Sequence, residues 1–402
     1  MAFTGRKKKI HYAIWLHRKR VDGNIVHTDV GPLLSSYHIT GFHRTDSEIE
    51  VRKTVLNKQA GLHLQRNFKE LQLGFTAVGF AQSMAYTPIT KAYQRFNFRG
   101  SRYLKTGISY RYSRNNSLFF GETTICSNKS LGNVHGVLVS ATKHFGASIL
   151  YRSFSKRFIP DQSVVFSEAS TPRNETGLYF GSNYAVSYRL NLSFYVDRYW
   201  FPWMSYHSHT ASNGTDYLVY VKYRSSKKLS WTVRVKHEVK QQSLPVNHYM
   251  RRLVDVQSSK LRFNVVHDPS KTFGLRCRLE MRRVNEGNGT TWGYLVYQDF
   301  RFTLLRSRLK VYLRFASANI DTYDNRIYTY ENDVAYSYSL PFFQDNQLRS
   351  YMLVRYRLYA NTDVWIKTAF DYKTESKGFG SGLDSVSSPR RTGVTFQIRI
   401  RL

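Results

Sequence analysis

The sequence predicts an all-β protein, a transmembrane antiparallel β-barrel of roughly 16–20 strands with one short helix near the N-terminus. Three observations predict it. The chain ends GVTFQIRIRL, with Val394, Phe396, Ile398, Ile400 and Leu402 on one side and Thr395, Gln397, Arg399 and Arg401 on the other. A strand sends successive side chains to opposite faces, so one face here is apolar and the other charged. In water such a strand would need a core for its apolar face and cover for its edge. A closed barrel in lipid meets both needs. Secondly, the same alternation recurs in segments of about ten residues, the ~9–11 that cross a bilayer when tilted. Thirdly, no apolar run approaches the ~18 residues of a membrane helix. The mean hydropathy of −0.46 is that of a soluble chain, but apolar-out and polar-in average to a low value in any such barrel.

Residues 7–30 give two strand-like runs with a turn at Asp22-Gly23-Asn24. GFHRTDSEIEVRKTVLNKQ (41–59) is the helix: Thr45 with Glu48 forms a capping-box pattern, and Ile49, Val55 and Leu56 can share one stripe. Leu71, Leu73, Phe75 and Ala77 then alternate with Gln72, Gly74 and Thr76, and Ile108, Tyr110 and Tyr112 with Ser109 and Arg111. The polar stretch from Phe154 to Glu175 reads as an extramembrane loop. Leu190, Leu192, Phe194 and Val196 resume the pattern. In the second half Trp231, Val233 and Val235 oppose Thr232, Arg234 and Lys236, and Leu275, Cys277, Leu279 and Met281 oppose Arg276, Arg278, Glu280 and Arg282. Leu309, Val311, Leu313 and Phe315 oppose Lys310, Tyr312 and Arg314, and Val334, Tyr336, Tyr338 and Leu340 read as a further strand. Val364, Ile366, Thr368 and Phe370 oppose Trp365, Lys367 and Asp371. Short turns at 225–227 and 268–270 contrast with polar linkers at 241–257, 284–290, 317–329 and 374–391, as in outer-membrane barrels. A β-propeller would show a blade repeat and shorter strands, and neither is present.

No composition shift marks a boundary, so residues 1–402 are expected to form one barrel domain. The N-terminus, MAFTGRKKKIHYAIWL, reads as a strand rather than a secretory signal. An exported barrel carries a signal, so the expectation is that this chain lacks its export signal and an upstream region.

Several motifs together carry a resemblance: GFHRTDSEIEVRKTVLN (41–57), YQRFNFRG (93–100), STPRNETGLYFG (170–181), RYWFPWMSY (198–206), YTYENDVAYSYSLP (328–341) and GSGLD (380–384). From about residue 35 onward the chain resembles the C-terminal outer-membrane barrel region of Bacteroidota helix-hairpin-helix domain-containing proteins. The resemblance implies a bacterial outer-membrane location. The helix-hairpin-helix repeats are absent here, so a DNA-binding role carried by them does not transfer to these residues.

The formal charge is +33, from 60 Lys and Arg against 27 Asp and Glu. Most basic residues sit singly at alternate strand positions rather than in a tail. By parity Arg234, Lys236, Arg262, Arg276, Arg278, Arg282, Lys310, Arg314, Arg355, Lys367, Arg399 and Arg401 face the lumen, where basic side chains favour anions. The competing reading is pairing with lumenal Asp and Glu, which are too few to neutralise them all. Trp200, Phe201, Trp203 and Tyr206 are expected as interfacial aromatics at headgroup depth. Asp321 and Asp324, beside Glu331 and Asp333, are weak candidates for a metal at the rim, with pairing to Arg326 as the plainer reading. His207 and His209 have no partner for a metal close in sequence. Cys126 and Cys277 are too few for a disulfide framework. No nucleophile elbow or phosphate loop is present, so no catalytic residues and no cofactor are assigned.

The function expected is a pore, uptake conduit or envelope anchor for anionic solutes or polymers. Its partners would be outer-membrane lipid, lipopolysaccharide, DNA or other envelope proteins. The alternatives are a membrane-anchored DNA-binding or DNA-uptake component and a soluble basic nucleic-acid-binding β protein.

Overall fold

The computed structural model describes residues 1–402 except 30, 88–90, 162, 248–249, 288, 375–377 and 402. Leu402, read as the last apolar residue of the terminal strand, lies outside the described residues.

Long alternating segments become long strands. In chain order they are β1 (Ala2–Lys7), β2 (Ile10–Val21), β3 (Gly23–Thr28), β4 (Gly31–Tyr37), then helix α1 (Asp46–Glu50), β5 (Val55–Asn67), β6 (Leu71–Tyr86), β7 (Gly100–Arg114), β8 (Ser117–Cys126), β9 (Leu131–Ser140) and β10 (Phe145–Phe154). They continue as β11 (Glu175–Ala185), β12 (Leu190–Phe201), β13 (Ser212–Arg224), β14 (Leu229–Pro245), β15 (Arg251–His267), β16 (Phe273–Asn285), β17 (Thr290–Leu304), β18 (Leu309–Ile320), β19 (Ile327–Tyr328), β20 (Phe342–Phe343), β21 (Gln347–Tyr359), β22 (Thr362–Lys373) and β23 (Arg390–Ile400). One sheet holds 21 of them, and β19 and β20 form a separate two-stranded pair. The excess over the expected count comes from β3 and β4, a short hairpin whose strand pairing with β6 among the described residues is the one parallel bridge Leu34–Tyr86, with Tyr37 donating to Gln82 beside it. Pairing is otherwise antiparallel between neighbours, as in β5–β6, β6–β7 and β16–β17. The fold class is the one expected in being all-β and antiparallel, with one short helix.

The faces explain why. On β17 and β18 the apolar Val296 and Phe315 are 47% and 58% exposed, while Arg314 is 1% exposed and Glu280 of β16 is 5% exposed. A protein folded for water would reverse that arrangement, because unpaired buried charge is costly and exposed apolar surface gains nothing.

Helix α1 is shorter than expected. The Thr45 hydroxyl accepts from the Glu48 amide, but the Glu48 carboxylate turns to the Arg44 amide and guanidinium instead of closing the box. Val55 and Leu56, expected on its stripe, already belong to β5. The 241–257 linker is largely strand, since β14 runs to Pro245 and β15 starts at Arg251. Gln241, Gln242 and Ser243 are polar on both faces, which hides the alternation there. The 317–329 linker likewise begins inside β18.

Two compact units divide the chain. The first comprises Met1–Ser182, Val196–Thr215 and Gln241–Leu253, and the second Asn183–Tyr195, Asp216–Lys240 and Val254–Leu402. Each carries an insertion folded onto its own polar face. In the first it is residues 155–174, expected as an extramembrane loop. Phe158 and Ile159 are buried there with Phe80, Tyr103, Cys126 and Phe154. In the second it is residues 321–346. Ile327 and Phe343 pack on Leu295, Tyr297, Ala316, Ala318 and Ile320, and Val334 packs on Tyr351, Leu353 and Trp365. Residues 334–340, expected as a strand, are irregular here, with Tyr336 and Tyr338 exposed and Val334 buried.

Candidate functional site: the polar face

Strand parity puts the predicted basic residues on the polar face, and their neighbours then decide what they can do. In the second unit Arg262 makes two hydrogen bonds to Glu280, at 2.7 and 2.9 Å, one strand away. Arg278 donates to Asn264 at 2.6 Å, and Lys236 pairs with Asp216 at 2.7 Å. Arg314 is fully buried. It donates to both carboxylate oxygens of Asp299, at 2.6 and 2.8 Å, and to the Tyr330 carbonyl at 2.7 Å, so one side chain ties β17, β18 and the insertion. Its guanidinium also lies 3.8 Å from the Tyr297 ring centre. Lys367 lies 3.5 Å from Glu331 and 3.4 Å from Asp333. Asp363 collects Arg355, Arg399 and Arg401, with Arg357 at 3.6 Å. Arg282 donates to the Arg326 carbonyl at 3.0 Å.

The expected basic face is therefore largely a network of charge-assisted hydrogen bonds, which the sequence could not reveal because partners lie one or more strands apart. Among the described residues only Arg234, Arg276 and Lys310 of the predicted set make neither an ion pair nor a side-chain hydrogen bond.

The second unit also holds a buried cluster of three residues centred on Arg349, a basic residue absent from the predicted set. Arg349 grips Glu331 through two hydrogen bonds of 2.7 and 2.8 Å and reaches Asp371 at 2.5 Å, all three buried. Parity alone would have put Arg349 on the polar face; its acidic partner in an irregular segment has no periodic signal.

In the first unit the corresponding centre is Arg152, fully buried, which donates to Glu175 at 2.5 Å and Asp197 at 2.8 Å. Glu175 also accepts the amides of Glu168 and Ala169, at 2.9 and 3.0 Å, and so fastens the end of the insertion. The guanidinium lies over Gly177, where a Cβ would collide with it. Lys105, 8% exposed, donates to the Asp161 carbonyl at 2.5 Å and to the Ser163 hydroxyl at 3.3 Å. Burial raises the Asp161 carboxyl above its ordinary range, against the pull of Lys105 and Arg173.

The interfacial aromatics separate. Trp200 is exposed beside Arg198. Phe201 was expected beside it but is buried against Tyr199, because parity on β12 sets it on the side of Asp197. Trp203 packs edge-on against Phe96 and donates to the Ala92 carbonyl at 3.4 Å. Tyr206 is exposed and meets Tyr93 edge-on. Asp321 accepts the Trp292 amide at 2.8 Å, and Asp324 stands 3.9 Å from Arg326. No group of three or more His, Cys, Asp or Glu side chains suited to a metal occurs among the described residues.

No family model and no curated protein matches the chain. Solved structures do resemble it. The outer membrane channel DcaP of Acinetobacter baumannii aligns over 88% of this chain and 99% of its own, at 12% identity and a TM-score of 0.38. The outer membrane protein opdK of Pseudomonas aeruginosa aligns over 80% and 89%, at 11% identity and 0.38. FpvA of P. aeruginosa, solved with bound pyoverdine, aligns over 99% of this chain and 64% of its own, at 9% identity and 0.49.

Proposed function

We propose that the chain is a bacterial outer-membrane barrel whose polar face lines a water-filled conduit for small anionic solutes. One observation carries the reading. In the second unit Arg234, Arg276 and Lys310 stand on the polar face with no ion pair among the described residues, while Asp216, Glu280, Asp299, Glu331, Asp363 and Asp371 are each paired with other cations. Uncompensated lumenal cations lower the barrier for an anion and raise it for a cation. The exposed apolar face supports the membrane setting.

The test is reversal potential in planar bilayers under a KCl gradient. The wild type is expected to prefer chloride, and Arg234→Glu, Arg276→Glu and Lys310→Glu together to reverse the sign. A cation-selective or non-conducting wild type would overturn the proposal. So would a chain that stays monodisperse without detergent.

A further inference from the structure

Between the polar face of β5–β8 and the insertion 155–174 lies a cavity of about 670 Å³. That is within the ~300–1,000 Å³ of small-molecule sites. Trp15, Tyr103, Phe120 and Phe158 supply aromatic walls. Two charged groups line it with unspent capacity. Lys105 uses two acceptors, the Asp161 carbonyl and the Ser163 hydroxyl, of the three that its ammonium can serve. It forms no ion pair among the described residues, and burial holds the nearby Asp161 carboxyl toward its neutral form. Glu122 accepts one hydrogen bond, from the Thr124 hydroxyl at 3.1 Å, and likewise has no basic partner among the described residues.

The register sets their spacing. Lys105 faces Cys126 across β7–β8, and Ser109 faces Glu122. The two charges are thus four residues apart along the strands, roughly 13 Å at 3.3 Å per residue. A single amino acid is too short to meet both. An extended chain of two or three residues spans about 7–11 Å between its termini, and the two side chains reach inward to close the rest. The walls in between are aromatic.

We propose that this cavity binds a short zwitterionic peptide of two or three residues with apolar side chains, its C-terminal carboxylate on Lys105 and its N-terminal ammonium on Glu122. The peptide would supply the buried Lys105 with the counter-charge that the protein withholds, would pair its ammonium with Glu122 at the exposed end of the cavity, and would displace only weakly held water from the aromatic walls.

The experiment is isothermal titration calorimetry on the full chain in detergent, with phenylalanyl-alanyl-phenylalanine as probe. Its N-acetyl, C-amide and doubly blocked forms are the controls. The free peptide binds, each single block weakens binding about tenfold or more, and the double block weakens it further. Lys105→Met binds the free and amidated peptides alike, and Glu122→Gln binds the free and acetylated peptides alike. Thr124→Trp fills the cavity and removes binding while heat-modifiable gel mobility confirms a folded barrel. Equal binding of the free and doubly blocked peptides overturns the proposal. So does absence of binding to folded wild type, or unchanged binding by Thr124→Trp. Binding in detergent requires no ion flow, so this outcome is independent of the conductance measurement above.

Discussion

The two insertions occupy comparable places on their own units and are held by different forces. Residues 321–346 are clamped by charge. Glu331 is fully buried between Arg349 and Lys367, Asp333 meets Lys367, and Arg314 donates to the Tyr330 carbonyl. Residues 155–174 are held in the middle mainly by apolar contact, with Phe158 and Ile159 in a cluster of aromatic rings and Lys105 as a lone cation donating to the Asp161 carbonyl and the Ser163 hydroxyl, and at the end through Glu175, so that no ion pair clamps the middle among the described residues. Buried ion pairs add little net stability, yet breaking one is severe because it strands the partner. Apolar contact is lost gradually and without a stranded charge. The first insertion should therefore move more readily than the second, and it is the one that covers an open cavity.

The largest expected effect is Glu331→Ala. It strips Arg349 of one of its two buried carboxylates and leaves Lys367 with Asp333 alone, at a cost of about 3–5 kcal/mol. Urea unfolding of the reconstituted barrel should show it, and hydrogen exchange should rise across 321–346. Protection unchanged there would mean the clamp is not ionic. Phe158→Ala follows, at about 3 kcal/mol for an aromatic ring lost from a packed site. Its effect should be confined to the insertion: proteolysis within 155–174 accelerates by about a hundredfold (1.4 kcal/mol per tenfold) while the global transition barely moves. Gly132→Val should reproduce it, because a Cβ at 132 would come within 2.6 Å of the Phe158 ring. If both variants unfold the whole barrel, the two insertions do not differ in kind.

The smallest effect concerns acid. Arg44 holds the Glu48 carboxyl down to about 2, against an ordinary value of 4.5. The folded value lies below the unfolded one, so the contribution is complete above pH 4.5 and is lost as pH falls toward 2. The group is partly buried and sits at the short helix, so the loss appears as local fraying there. Amide exchange at residues 44–50 should quicken across that window in the wild type and be pH-independent in Glu48→Gln. The first insertion's end, tied through a buried Glu175, gives the contrasting case.

The strands were legible because period-two alternation survives wherever lipid meets one face and water or charge the other. Leu275 to Met281 against Arg276 to Arg282 is such a run. Legibility failed where an insertion covers the polar face. There Leu295, Tyr297, Leu353 and Trp365 take positions that parity reserves for polar residues, and both faces turn apolar, as in Tyr294 to Tyr297. That loss of contrast is itself the signal of a covered patch. The Ser-rich 155–174 segment looked external because a loop resting on polar wall needs few apolar anchors. Ion-pair partners were unreadable for a different reason, since Glu331 reaches Arg349 through an irregular segment with no period to follow.

The guanidinium of Arg152 lies in the space that a side chain at Gly177 would need. Its Nη2 has no hydrogen-bond partner and is sealed from solvent. Positions 152 and 177 are consequently not free to vary one at a time. Gly177→Ala should be damaging with Arg152 present and tolerated once residue 152 is small, provided that Glu175 and Asp197 lose their charge as well. Four sites on three strands thus form a single hereditary unit, and a lineage that crosses from one solution to another must change them together.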